Sequence, residues 1–298
     1  MTEVHVKQIR TSTLEITYEE RGTVDHTPVI LLHGFPDDVR AWDGVVPQLV
    51  KNGYRTIVPY LRGFGMTKFL EINTLRSGQQ AALGNDLFEL MNSLRIDKAI
   101  LVGYDWGGRA ACVVSALWPE RVHGLVSIGG YNIQNIPQSQ MPASPEQEYR
   151  FWYQWYFNTK RGQHGLELNR KKLCRLLWEL WAFSDEEYKH TAASFENPDF
   201  VEVVIHSYRH RYKNASGDPL LEQIESKLSD QPAIQVPVIC MEGESDGLDV
   251  PGEERPDDMP FFKNYYESRI IPKAGHFLPR EDASSVIRAI IDLKKIIG

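Results

Sequence analysis

Residues 99–108 read Ala-Ile-Leu-Val-Gly-Tyr-Asp-Trp-Gly-Gly. The apolar run has strand character, the glycines flank a tight turn, and the residues beyond open a helix. Small residues on either side of Asp105 permit a turn sharp enough to hold its side chain above the end of a sheet, the geometry G-x-Nu-x-G of a nucleophile elbow. A carboxylate is a poor nucleophile for peptide or ester cleavage. It suits displacement at a saturated carbon, which leaves an alkyl ester that water can open. The simpler reading of Asp105 alone is a cap for the helix that starts at Trp106, since Asp is favoured there.

On both sides of this segment the pattern repeats. Val29–Leu32, Arg55–Val58 and Leu125–Ile128 are further short apolar runs bounded by Gly, Pro or charged residues, and they read as buried strands. Between them Leu83, Leu87, Leu90, Met91 and Leu94 recur at helical spacing, as do Ala110, Val113, Val114 and Leu117 before Pro119. Alternating strands and helices imply right-handed crossovers and a mostly parallel sheet. Leu14–Glu20 alternates more polar residues and is expected as an antiparallel edge. Strand signals return at Val236–Met241 and Arg269–Ile271, and a terminal helix carries Val286, Ile290, Leu293 and Ile297 on one face. From 131 to 230 the signal is helical and aromatic instead. The expected organisation is an α/β core of residues 1–130 and 231–298, interrupted by a helical lid (131–230) over the carboxyl ends of the strands, where open sheets bind ligands.

The chain has 298 residues, 42% of them hydrophobic, enough for a substantial core, and its net charge is −7. No run of five basic residues occurs, which speaks against a phosphate-tracking groove and so against nucleic acid as a partner. No apolar stretch approaches the roughly 18 residues of a bilayer span. The start, MTEVHVK, has no signal-peptide pattern, so a cytoplasmic protein is expected. Cys112, Cys174 and Cys240 lie far apart among apolar neighbours and read as buried free thiols. Half of all Phe, Tyr and Trp residues, with four of the seven Trp, fall within 131–230. A uniform core has no need of that concentration.

Other candidate site residues also follow strands. The loop His33-Gly-Phe-Pro36 can present the Phe35 N–H to the nucleophile, and the Trp106 N–H at the first helical turn would complete an oxyanion hole. His276, in Lys273-Ala-Gly-His-Phe277, stands where the base falls in the order nucleophile, acid, His. Its orienting acid should follow Val236–Met241; Asp246 is favoured over Glu244 and Asp249. The remaining acids of 246–258 read as a solvated loop. His206 and His210, four apart, lack the Glu of a metalloprotease motif and any evident third ligand, so no metal site is assigned there.

Taken together these residues resemble the α/β-hydrolase fold, and more narrowly its epoxide hydrolases. Gly103-Tyr-Asp-Trp-Gly107 is similar to the elbow that epoxide hydrolases share with haloalkane dehalogenases. His33-Gly-Phe-Pro36 matches the epoxide hydrolase oxyanion loop, in which a cis peptide precedes the Pro. Arg62-Gly-Phe-Gly-Met-Thr67 resembles the family's Arg-Gly-x-Gly-x-Ser turn but has Tyr60 where an Asp commonly stands. The resemblance implies two ring-activating lid tyrosines: Tyr153 in Phe151-Trp-Tyr-Gln-Trp-Tyr-Phe157, with Tyr156 as second choice, and Tyr208 in His206-Ser-Tyr-Arg209. Trp106, Trp152 and Tyr156 are expected to contact substrate. Tyr212 and the lid Trp side chains read as packing. The implied activity is hydrolysis of a small apolar epoxide to a vicinal diol through an Asp105 ester, with no metal or organic cofactor. A haloalkane or haloacid dehalogenase would use the same Asp105, His276 and Asp246, although Phe35 stands where many dehalogenases carry Asn. A non-catalytic ligand-binding module is the alternative of another class, and a homodimer stays open.

Overall fold

The computed structural model describes residues 5–181, 185–253 and 257–298. In it the apolar runs assemble into a nine-stranded sheet. The strands are β1 (His5–Arg10), β2 (Leu14–Arg21), β3 (Thr27–Leu32), β4 (Tyr54–Pro59), β5 (Lys68–Phe69), β6 (Ala99–Tyr104), β7 (Val122–Ile128), β8 (Val238–Gly243) and β9 (Tyr266–Ile271). Their order is β1-β2-β4-β3-β6-β7-β8-β9, with the short β5 paired to β2. From β4 to β9 all neighbours are parallel, while β2 is antiparallel to β1, β4 and β5. Strands β4 and β6 are buried along their whole length, as suits a sheet covered on both faces.

Leu14–Glu20 is antiparallel as expected but is not the edge. The edge is β1, whose sequence His-Val-Lys-Gln-Ile-Arg is mostly exposed and carries no apolar alternation to reveal it. The sequence start MTEVHVK falls partly outside the described residues, as do residues 254–256 of the acidic loop. Cys112, Cys174 and Cys240 are buried free thiols. No helix among the described residues is long and apolar enough to cross a membrane.

The core helices are α1 (Val46–Lys51), α2 (Gln80–Ser93) and α3 (Asp105–Leu117). Between β7 and β8 come α4 (Pro145–Arg150), α5 (Trp152–Asn158), α6 (Lys160–Leu180), α7 (Asp185–Thr191), α8 (Phe200–Arg211) and α9 (Glu222–Ser229). The chain then closes with α10 (Leu278–Glu281) and α11 (Ala283–Ile297). The helices between β7 and β8 are tied to loops at the carboxyl ends of β3 and β4. Trp178 Nε1 donates to the Pro36 carbonyl (2.6 Å), Ser194 Oγ to Asp38 Oδ2 (2.5 Å) and Asn197 Nδ2 to the Thr67 carbonyl (2.6 Å). Arg62, whose expected Asp is replaced by Tyr60, forks onto Asp86 of α2 instead, with both contacts at 2.6 Å.

The chain runs from β3 outward to β4, then returns to place β6 on the other side of β3. The carboxyl ends of β3 and β6 therefore flank a topological switch point, where open α/β sheets leave a crevice.

Candidate active site

Asp105 sits at that crevice, between the last residue of β6 and the body of α3, with φ +49°. A non-glycine residue there is strained, and the surroundings hold it. A Cβ on Gly107 would lie 2.2 Å from the Leu32 carbonyl oxygen, and one on Gly103 would lie 2.4 Å from that of Gly107. Only glycines allow α3 to approach β3 this closely. The Phe35 N–H donates to Asp105 Oδ1 at 2.8 Å, and the Phe35–Pro36 peptide is cis. His33 shapes this loop from below. Burial pulls its pKa down to about 4, so the ring is neutral. Its Nε2 takes the Leu61 N–H (3.1 Å), which leaves Nδ1 as the donor to the Gly34 carbonyl (2.9 Å).

His276 follows β9, and Asp246 follows the neighbouring β8. His276 Nδ1 and Asp246 Oδ2 are 3.0 Å apart. Glu244 instead accepts the Lys273 N–H (3.0 Å). Burial acts to lower the His276 pKa, but the charge and hydrogen bond of Asp246, with further help from Asp105, push it up to about 9. Its Nε2 is buried with no partner among the described residues. Trp181 packs edge-on to the imidazole, with ring centres 4.9 Å apart.

Tyr153 on α5 and Tyr208 on α8 are buried, with ring centres 5.5 Å apart and hydroxyls close enough to interact. Asn158 Nδ2 joins their helices, donating to the carbonyls of Gln154 and Tyr208. Burial first, and the Asp105 charge in addition, raise both phenols above their ordinary range, so both keep their protons. Tyr156 packs its hydroxyl end against Gly165 of α6.

A cavity of about 350 Å³ connects these groups, lined among others by Asp105, Arg109, Tyr153, Arg211, Asp246 and His276. Neither Trp106, Trp152 nor Tyr156 lines it, contrary to their expected substrate contacts, and Tyr208 stands behind Tyr153. The Trp106 indole is stacked on Phe35 and edge-on to Phe64, and its Nε1 has no partner among the described residues. The aromatic concentration has a packing role. Most of those rings pack on one another and on Phe35 and Phe64, as Phe157, Phe195, Phe200 and Tyr208 do. They form a layer between the core and the inserted helices, and Tyr131, Phe151 and Tyr153 also line the cavity. The wall mixes charged and polar side chains with apolar ones such as Ile128, Phe151 and Leu248.

Among the wall residues that escaped sequence reasoning are Arg109, Arg211 and Gln154. Arg109 lies four residues beyond Asp105 on α3, hence on the same helix face, a spacing that could have revealed it. His206 and His210 stack at 5.7 Å, and both His206 nitrogens are engaged, by the Gly78 N–H and the Ser216 carbonyl.

A mostly parallel sheet with a strained acidic elbow, a backbone donor on its carboxylate and a His–Asp pair on adjoining strand ends has the organisation of an α/β hydrolase. The chain belongs to the alpha/beta hydrolase fold family, whose model matches residues 27–283. It is similar to a candidate epoxide hydrolase of Klebsiella pneumoniae of known crystal structure, at 39% identity over 97% of each chain with a TM-score of 0.92. It is also similar to Epoxide hydrolase B of Mycobacterium tuberculosis, at 30% identity over 45% of this chain, and to human Epoxide hydrolase 4, at 23% over 95%. These matches span 40% and 76% of the respective relatives' own lengths; the first is less than half of that protein.

Proposed function

We propose that the protein hydrolyses an epoxide to a vicinal diol through an ester on Asp105. The observation that carries this reading is the convergence on one cavity of Asp105, proton-bearing Tyr153 and the unpartnered Nε2 of Asp246-paired His276. The inserted helices serve as the cap that supplies the phenols.

Phe35 holds Oδ1 of Asp105 and leaves Oδ2 as the attacking atom. Oδ2 forms a bond to a ring carbon as the carbon–oxygen bond opposite breaks. The departing oxygen takes a proton from Tyr153, and Tyr208 behind it supports that phenol as charge develops. The resulting ester has lost the Asp105 charge, one of the influences that keep His276 protonated. Without it the imidazolium gives up its proton to solvent more readily, and the neutral ring, held by Asp246, can then take a proton from water at Nε2. The hydroxide adds to the ester carbonyl, whose oxygen already lies on the Phe35 N–H, with the Trp106 N–H as second donor at the helix start. Collapse releases the diol, its alkoxide takes the proton from His276, and the proton that the added hydroxide left on the Asp105 carboxyl returns to the Tyr153 phenolate, so that both Asp105 and Tyr153 are regenerated.

Halide displacement would call on Trp106 and a lid Trp or loop Asn to bind the leaving ion; neither Trp106 nor Trp152 lines the cavity, while Asn132 does. The test is His276→Ala, which should stall after alkylation. Incubation with a panel of epoxides should add the mass of one epoxide to the Asp105 peptide. No adduct from any of them would favour a ligand-binding module instead.

A further inference from the structure

The cavity holds two guanidinium groups that ring opening does not use. Arg109 is buried, with Nη2 3.8 Å from Asp105 Oδ2 and Nη1 without any partner among the described residues. A buried cationic donor left unpaired is costly. The second group is Arg211, three residues beyond Tyr208, lying with its guanidinium 5.0 Å from the Tyr208 ring centre. Among the described residues its donors meet neutral groups. Nη1 donates to Gln154 Oε1 (2.7 Å), while Nε and Nη2 reach the Gln134 side-chain oxygen (2.5 and 2.9 Å). Arg211 is also the charge that most strongly disfavours a protonated Arg109 after burial itself, and together they bring that group down to about 10, still charged at neutral pH. Two cations thus face the same space beside the nucleophile, each raising the energy of the other.

We propose that this pair is an anion subsite and that the substrate is a short 2,3-epoxy carboxylate, a deepening that rests on the epoxide hydrolase reading above. An anion placed against Arg109 Nη1 turns the repulsion into attraction and satisfies the orphaned donor. Charge number and distance select the ligand. Asp105, Asp246, Asp249, Glu242 and Asp258 also line the cavity and outnumber its cations, so a dianion such as a phosphate ester would meet strong repulsion, whereas a single carboxylate is favoured in direct contact with Arg109 and Arg211. An attacked carbon sits about 3 to 3.5 Å from Oδ2, and a carboxylate oxygen about 2.8 Å from Nη1. With Nη2 of the same guanidinium 3.8 Å from Oδ2, a short link between acid and ring suffices, and we take the carboxylate to adjoin the ring. The expectation of a small apolar epoxide is revised accordingly: small, but anionic.

The test compares trans-2,3-epoxybutanoate with its uncharged amide and with trans-2,3-epoxybutane, measuring diol formation by the wild type. A charge-assisted contact predicts that the acid exceeds the amide in kcat/KM at least about tenfold, mainly through KM. In Arg109→Gln that ratio should collapse towards one, and Arg109→Lys should restore part of it. A wild-type readout guards against misfolding of these variants: 2-hydroxybutyrate should inhibit competitively at concentrations where 2-butanol does not. If the amide and the plain epoxide are hydrolysed as well as the acid, the anion subsite is overturned and the epoxide reading stands. If none of the three yields diol, the epoxide reading falls and this proposal falls with it.

Discussion

Replacing Asp246 by Asn removes the charge that governs His276 at nearly constant side-chain size. Against the opposing effect of burial, Asp246 and more weakly Asp105 lift the imidazole from 6.5 to about 9. That rise is a preference for the imidazolium of about 3 kcal/mol. Ester hydrolysis moves a water proton onto this ring, so its transition state draws on the same stabilisation. The Asp105 share disappears when the ester forms, which leaves Asp246 with about 2 kcal/mol or more, a slowing of roughly 30-fold or more. The assay is rapid acid quench followed by mass analysis of the Asp105 peptide. In Asp246→Asn the ester should form within a few-fold of the normal rate and then persist. Ester turnover within threefold of the wild type would refute the reasoning. Glu244→Gln serves as the internal control and should leave turnover within twofold, because its carboxylate is spent on the Lys273 N–H.

Tyr153→Phe should slow ring opening by about 100-fold or more, the usual worth of a positioned proton donor, with less effect in Tyr208→Phe and no measurable diol from the double variant; single-turnover alkylation rates decide, and an active double variant contradicts the role. His276 also links stability to pH. Its folded pKa is raised, so the stabilisation is fully present below 6.5 and is lost as pH rises through about 9. The difference in urea stability between wild type and His276→Gln should therefore shrink across that window, and a constant difference would count against the ion pair. Gly107→Ala would press a methyl 2.2 Å from the Leu32 carbonyl oxygen, costing about 3 kcal/mol in urea unfolding or preventing folding; a loss under about 1 kcal/mol would contradict the close approach.

What could be read from the chain alone follows its local chemistry. The elbow is contiguous, so a strand, two spacing glycines and a helix start lie within ten residues and name Asp105 directly. Phe35, Asp246 and His276 each follow a recognisable strand, and chain order places them. The phenols came from a resemblance that also put Trp152 and Tyr156 in the site. On α5, Tyr153 lines the cavity, while its neighbours Trp152 and Tyr156 are not among the lining residues, and sequence patterning in a stretch that is aromatic but for Gln154 cannot distinguish those faces. Arg211 and Gln154 meet across 57 positions of sequence. Asp37, forked by Arg280, and held by Tyr104 as well, spans 243. No local signal encodes such partners. The charged part of the cavity wall is illegible for the same reason: aromatic composition can be read, but not which surface the rings bury.

Everything above turns on whether Asp105 itself carries the substrate. A single turnover with enzyme in excess, run in ¹⁸O-water with trans-2,3-epoxybutanoate or any epoxide the protein accepts, measures this most directly. The account predicts one ¹⁸O in the Asp105 carboxylate and an unlabelled diol. Label in the diol and none in Asp105 would mean that water attacks the ring directly, and would contradict it.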